Sequence, residues 1–411
     1  MILGTKIKWF SHLNKNAPVL TNVWGSMLKV LDACLIDGYS EQQATAYSIV
    51  GNNLTLTYPT AHLYQQYQVL NIKGASTPVL NGDHRIVDVS SDGLSLTIEY
   101  ASLSGVVETA LLLTTKIAPL GWEKVYSALN KAVYKFTMST GISQFFFVDD
   151  TEIGGTYAAT WAKYARVGLS EGYAGEFQPT GVSSPLDWSQ MGASLRTAPN
   201  IYYMGTHKWF YATSTDLTSA TFSPTSTTLA GVRPWLLTGD TTYFYIIPAT
   251  YPNSMYAITM GVGEYDRVHQ GLKENSFLND VQEPGLLTNG NISYMSQVGN
   301  SLINNYAKTT TLKSYLNDMP TYMKSVSLSP LSESGTSDKY SRGGPVNHFR
   351  SVFVADNIVM GSPKNLYWLG VATPYSHLQK IKQGEDIYLA STQYCYGSIL
   401  GQVVFKIGSI E

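Results

Sequence analysis

The chain is poor in charge. Only 14% of its 411 residues are Asp, Glu, Lys or Arg, against roughly 25% in an ordinary soluble domain. Lys and Arg total 27 and Asp and Glu 29, a net charge of -2. That balance, with no basic block, argues against direct nucleic-acid recognition, which needs a cationic footprint. Long apolar runs are missing too. The densest, residues 110–113, falls far short of the roughly 18 residues that cross a bilayer, so no membrane partner is expected. The opening residues, Met1 to Lys6, lack the apolar stretch of a secretory signal. Cysteine is scarce. Cys34 and Cys395 are too few for a disulfide framework or a four-cysteine zinc site. They read as buried free thiols, in keeping with a reducing cytoplasm.

Other residues are abundant. Hydrophobic residues make up 44% of the chain, and 29 Tyr, 13 Phe and 8 Trp bring aromatics to 12%. Such a chain is not disordered, because it has enough apolar material to build a core. Ser, Thr, Gly and Tyr with little charge point to β structure held by backbone ladders and aromatic packing. They also point to surfaces that meet protein rather than water, since interface cores lose charge and gain Tyr and Trp. The composition leans toward a subunit of an assembly.

One helix stands out. Trp24, Met27, Leu28, Leu31 and Leu35 form an apolar stripe at helical spacing. Thr21 or Asn22 is placed to cap its start, and Gly38 to end it. From Asn53 the period becomes two. Strands are expected over 54–58, 67–72, 85–89, 94–100 and 106–115, with tight turns at Asn81-Gly82-Asp83 and Ser91-Asp92-Gly93. Pro119 and Gly121 then mark a junction. Beyond it strands are expected over 132–136, 144–148, 201–204, 208–211, 235–237, 243–247, 256–262, 349–353, 367–371, 386–390 and 402–407. Residues 157–167 fit either a helix or a strand. The Ser/Thr-rich stretch 213–231 reads as a loop. The expected fold is mainly β. An N-terminal helix and small β-barrel-like module occupy residues 1–118, and a larger β-sandwich-like region occupies 119–411. An exposed insertion or arm is expected around 289–344.

Chemistry-bearing residues are sparse and dispersed. The seven histidines, His12, His62, His84, His207, His269, His348 and His377, include no pair at the short spacing of a zinc motif. Asp83-His84-Arg85 reads as a solvated turn rather than a catalytic group. Ser376-His377 lacks the G-x-S-x-G of a hydrolase elbow. Asp149, Asp150 and Glu152 supply oxygen ligands of the kind Ca²⁺ takes, but without EF-hand spacing, so a solvated strand end or a polar subunit contact is expected. Gly261-Val262-Gly263 and Gly343-Gly344 lack the rest of a phosphate loop. No catalytic, metal or cofactor-binding residue is assigned, and no cofactor is expected.

The order of several motifs is specific. Ala17-Pro18-Val19-Leu20, Gly25-Ser26-Met27-Leu28 and Leu31-Asp32-Ala33-Cys34-Leu35-Ile36-Asp37-Gly38 come first. Gly74-Ala75, Leu80-Asn81-Gly82 and Arg85-Ile86 follow, then Ala118-Pro119-Leu120-Gly121-Trp122-Glu123-Lys124. Together they resemble the opening of a group of bacteriophage virion structural proteins associated with the tail, baseplate or neck. Arg233-Pro234-Trp235, Gly239-Asp240 and Tyr243-Phe244-Tyr245 resemble the group's second-module core, and residues 366–407 its C-terminal strands. The likeness covers about the first 125 residues well and is patchy afterwards. Residues 289–344 depart from it, and a station-specific contact would fall there.

The resemblance implies a non-enzymatic structural subunit, assembled in multiple copies in the host bacterial cytoplasm and resident in the virion. Its partners would be copies of itself, in a ring or shell, and other virion proteins of tail, neck, capsid or fibres. A capsid decoration or fibre-anchoring protein is an alternative from the same particle. An alternative of another class is a carbohydrate-binding receptor protein, with Tyr202, Tyr203, Trp209 and Tyr211 stacking on sugars, against which stands the reading of that run as core.

Overall fold

The computed structural model describes residues 4–100, 103–110, 112–152, 162, 164–184, 207–212, 228–249, 251–254, 259–269, 274–281, 307–314, 316, 318–327, 350–369, 373–396 and 399–409. These residues are mainly β, arranged in four sheets.

The expected apolar stripe is helical only from Met27 onward; Trp24 precedes the N-cap Gly25 and is half-buried. Met27, Leu28, Leu31 and Leu35 are all buried. The α-helix Ser26–Asp32 runs on as a π-helical turn, Ala33–Asp37, and stops at Gly38 with φ of 70°. A Cβ at Gly38 would lie 2.3 Å from the Ile117 carbonyl oxygen, so only glycine fits this stop. The start differs from expectation. Neither Thr21 nor Asn22 caps it; Gly25 is the N-cap and has no side chain to offer. Asp150, far away in sequence, accepts the Met27 amide at 3.2 Å. A buried side-chain carboxyl oxygen thus takes the place of a local cap.

Seven strands form the first sheet, in the order Tyr39–Ala44, Leu113–Ile117, Val69–Lys73, Gly82–Val89, Ser95–Glu99, Asn53–Thr57 and Ala46–Val50. Its two edge strands are consecutive in the chain, with only Thr45 between them, and the sheet is a half-barrel. Leu54, Leu56, Leu96, Ile98, Leu70, Ile72 and Ile86 alternate into its core, as period-two patterning requires. The strand expected over 106–115 forms only at Leu113–Ile117. Residues 103–110 are instead a loop, tied down by Glu108.

The Glu108 carboxylate accepts the Ser76 and Thr77 amides, the Ser76 hydroxyl and the Ala110 amide, at 2.5–2.9 Å. Burial pushes its pKa up, but these donors outweigh burial and hold it at about 2. A glutamate with no such donors titrates at 4.5. Glu108 therefore stabilises the fold fully above that value, and the contribution disappears as pH falls from there through about 2. Glu108→Gln is expected to flatten the acid limb. Urea midpoints of the native chain should fall more steeply between these pH values than those of the variant; parallel curves would refute the role.

The second sheet has the order Pro179–Ser184, Tyr164–Tyr173, Ser143–Asp149, Lys131–Thr137 and Glu123–Ala128, with Lys208–Phe210 also paired to Tyr164–Tyr173. The third has ten strands: Lys8–Ser11, Trp235–Gly239, Tyr243–Pro248, Met260–Glu264, Ser276–Val281, Ala307–Thr311, Thr321–Ser327, Ser351–Ala355, Ile358–Ser362 and Asp266–Arg267. These two sheets stack like a sandwich. Phe146 and Trp209 of the second lie 5.9 and 5.8 Å from Phe244 of the third, and the Trp209 indole donates to the Asn279 carbonyl of the third at 2.7 Å. One hydrophobic core runs without a break from half-barrel residues such as Leu70 to Phe146 and Leu278.

The fourth sheet, Leu366–Trp368, Ile399–Ser409, Asp386–Tyr396 and Lys380–Gln383, turns Leu389, Val403, Phe405 and Ile407 into a second core with Trp9, Tyr245 and Phe277. The undecided stretch 157–167 is strand from Tyr164 onward. Residues 307–327 supply two strands inside the ten-stranded sheet, where the sequence suggests an exposed insertion; the rest of 289–344 lies outside the described residues. Among the described residues, no helix is long and apolar enough to cross a membrane.

Candidate functional site at the sheet junction

The segments that carry the sequence resemblance meet at one place. The helix turn Ala33–Asp37 offers its carbonyls to the junction segment. Cys34 accepts the Leu120 amide at 2.8 Å, and Leu35 accepts those of Gly121 and Trp122 at 2.9 and 3.1 Å. Asp32 pairs with Lys124 at 2.8 Å and accepts the Tyr134 hydroxyl at 2.7 Å. Trp122 then reaches the third sheet. Its indole donates to the Asp240 carbonyl at 3.0 Å, and its ring stacks on Phe136 at 4.6 Å and meets Phe244 edge-on at 5.2 Å. The buried Lys8 ammonium donates to the Pro119 carbonyl and to Asp83, both at 2.6 Å. Half-barrel, helix and both sandwich sheets are joined through this knot.

A ledge extends from it. Leu20 and Arg233 form an antiparallel bridge, both fully buried. The Trp235 indole donates to the Pro18 carbonyl at 2.9 Å, and the Asn22 amide to the Thr228 hydroxyl at 3.1 Å. The Arg233 guanidinium turns back on its own loop, donating to the Gly231 and Leu229 carbonyls at 2.8 and 2.7 Å. On this braced pair of segments Val19, Val23, Leu229 and Val232 are 41–51% exposed. Neither 17–24 nor 228–232 contains a charged residue. Four apolar side chains held toward water on an ordered scaffold are suited to docking on another protein surface.

The residues with chemical potential are used elsewhere, one by one. Asp83, His84 and Arg85 are not a solvated turn. They lie in the strand Gly82–Val89, and His84 and Arg85 are buried. His84 meets the Leu80 carbonyl at 3.1 Å and Tyr100 edge-on. Arg85 donates to the Gly4, Tyr67 and Ile7 carbonyls at 2.6–2.7 Å. His377 accepts the Thr392 amide at 3.1 Å, and desolvation, then His12, lowers its pKa to about 4. Asp149 is paired with Lys131 and Arg166 at 3.1 and 2.8 Å.

Asp150, expected at a solvated strand end, is fully buried and accepts the Tyr211 hydroxyl at 2.5 Å. Burial pushes its pKa up to about 8, against the lowering bonds from Tyr211, Met27 and Gly25. Asp149 and Asp150 therefore part rather than converge. Among the described residues no three His, Cys, Asp or Glu side chains gather as a metal site. Gly261 and Gly263 lie inside the strand Met260–Glu264, not in a phosphate loop.

Trp209 and Tyr211 are fully buried and so present no face to a sugar; Tyr202, Tyr203, Gly343 and Gly344 lie outside the described residues. The sequence reading missed Ser184 and His207, whose Oγ and Nε2 lie 2.6 Å apart, but both are buried within the fold. It also missed the ledge. Leu229 fell in a stretch that reads as Ser/Thr-rich loop, and the one available signal was the run of residues without charge. No known family's sequence profile matches the chain, and no curated protein matches it.

Proposed function

We propose that the protein is a non-enzymatic structural subunit of a bacteriophage virion, present in multiple copies at the tail, baseplate or neck and bridging neighbouring virion proteins. In this reading residues 1–118 act as an N-terminal helix with a barrel-like module and 119–411 as the larger sandwich-like region. The chain assembles in the host cytoplasm and resides in the particle. The observation that carries the reading is the braced, charge-free ledge of Val19, Val23, Leu229 and Val232, which a second copy of the chain would cover. The resemblance of residues 17–38 and 118–124 supplies the virion context. Capsid decoration and fibre anchoring differ from it only in station.

Immunogold labelling of phage particles with antibody to this chain tests the station. Gold at the tail, baseplate or neck supports the proposal, gold over the head replaces it with decoration, and unlabelled particles reject it. Val232→Asp tests the ledge. A charge placed at a buried subunit contact is costly, so sedimentation should show the variant shifted to smaller species with an unchanged circular dichroism spectrum. An unaltered size distribution would remove the ledge from the interface.

A further inference from the structure

The half-barrel ends on an unguarded edge. The strand Ala46–Val50 pairs only with Asn53–Thr57, in a ladder without a register shift. Among the described residues no other group bonds its backbone amides or carbonyls, so one side of the strand keeps its hydrogen-bonding groups open. Open edges recruit other strands, and proteins usually blunt them with charge, proline, bulges or short length. The other edge strands of this protein follow that rule. Each carries a charged residue, except Pro179–Ser184, which opens on proline and shifts register, and Leu366–Trp368, which has three residues. Ala46–Val50 has none of these devices, and no charged residue occurs from 42 to 72.

The surroundings are apolar as well. Ala46, Ser48 and Val50 are the exposed members of the strand, and Val50 is 74% exposed. The Tyr47 hydroxyl donates to the Glu108 carbonyl at 2.8 Å, which holds the loop 103–110 to the strand. In that loop Val107 is 79% exposed, and the one charged residue, Glu108, is buried. Apart from Leu129, these two valines are the most exposed large apolar side chains among the described residues. An edge with this composition selects an occupant strand that carries no charge of its own.

The strand itself meets that requirement. Residues opposite each other in a sheet share a face, so in an antiparallel pairing of two copies their numbers must sum to an even value. The register centred on Ser48 is the one that uses all five residues. It sets Ser48 against Ser48, Ala46 against Val50 and Tyr47 against Ile49 of the second copy. Each pair is then apolar, or hydroxyl against hydroxyl, and no like charges meet. Pairs of an aromatic with a β-branched residue stabilise a sheet. We propose that two copies of the chain pair antiparallel through Ala46–Val50, about a two-fold axis at Ser48, and so join their half-barrels in one continuous sheet. This contact is additional to the ledge and does not depend on where the protein resides.

Cysteine substitution of the full chain, with a short bismaleimide cross-linker and denaturing gels, tests the pairing against the unsubstituted chain. Ser48→Cys should link to itself, since opposite Cβ atoms lie about 4.5–5.5 Å apart. Ala46→Cys alone should not, because its two copies would stand about 13 Å apart, four residues along the strand. Mixed with Val50→Cys, it should link. Ser48→Lys sets two like charges opposite each other. Placed in the Val232→Asp chain, where the ledge does not contribute, it should weaken the dimer roughly tenfold or more in sedimentation, with an unchanged circular dichroism spectrum. Failure of Ser48→Cys to link, equal linking of Ala46→Cys alone, or a size distribution unaltered by Ser48→Lys overturns the proposal, and a strand of a different protein would then be the occupant to seek. The ledge residues take no part in the cross-link, so failure here leaves the assembly reading standing.

Discussion

Replacing Trp122 by Ala is expected to lower the unfolding free energy by about 3–5 kcal/mol, the range for deleting a buried tryptophan. The side chain is 5% exposed and does two jobs. Its ring fills the space between Phe136 and Phe244, so truncation leaves a cavity walled by aromatics that belong to different sheets and cannot readily collapse. Its indole satisfies the Asp240 carbonyl, which would be left unpaired. Trp122→Phe separates the two contributions. It keeps most of the ring contact and loses the hydrogen bond, and should cost about 1 kcal/mol plus a smaller packing term. Guanidinium unfolding followed by far-ultraviolet circular dichroism measures both. A loss below about 1 kcal/mol for Trp122→Ala would mean that the knot does not hold the sheets together.

Arg85→Ala should be nearly as damaging, at about 3 kcal/mol, because it leaves three carbonyls of a buried site without their charged donor. The guanidinium serves residues 4 and 7, which precede the first strand, and Tyr67 in the half-barrel, while Gly408 of the last strand packs on it. Arg85→Lys should not rescue the loss, since an ammonium cannot reach three carbonyls in a planar fork. Hydrogen exchange gives a reading specific to place. The amide of Gly4, which donates to the Ser409 carbonyl, should lose protection in both variants at temperatures where the half-barrel amides keep theirs. Full rescue by lysine would show that charge alone is enough there.

Much of the fold was legible where a segment obeys one period. Leu54, Leu56, Leu96 and Ile98 alternate in sequence and point into the half-barrel, and Met27, Leu28, Leu31 and Leu35 give the helix its buried face. Legibility stops where the partner is remote. The sequence points to a cap at Thr21 or Asn22, beside the helix, whereas Asp150 supplies it. It stops again where a buried strand is polar. Thr309, Thr310 and Thr311 are buried in the ten-stranded sheet, yet a run of Lys and Thr resembles a solvated loop because its burial comes from flanking strands. The strand Tyr39–Ala44 carries Glu41, Gln42 and Gln43 and is hidden in the sequence for the same reason. Of the candidate site, the motif residues that build the knot were visible, but nothing in their spacing showed that Val19 and Val232 would share an exposed ledge.

The pairing of Lys8–Ser11 with Trp235–Gly239 has a consequence for synthesis. On a ribosome, the first strand of this protein has no partner until more than half the chain has been translated. The helix waits too, for Asp150 to arrive and accept the Met27 amide. The half-barrel strands, by contrast, pair among themselves before residue 118 has been passed. The growing chain would therefore carry an early-formed half-barrel with a loose leading end, and the leading end would be tied in last. A chain made this way gains its finished ledge, which needs both residues near 20 and residues near 230, only after more than half of it has been translated. Copies still being made would present no completed ledge to one another.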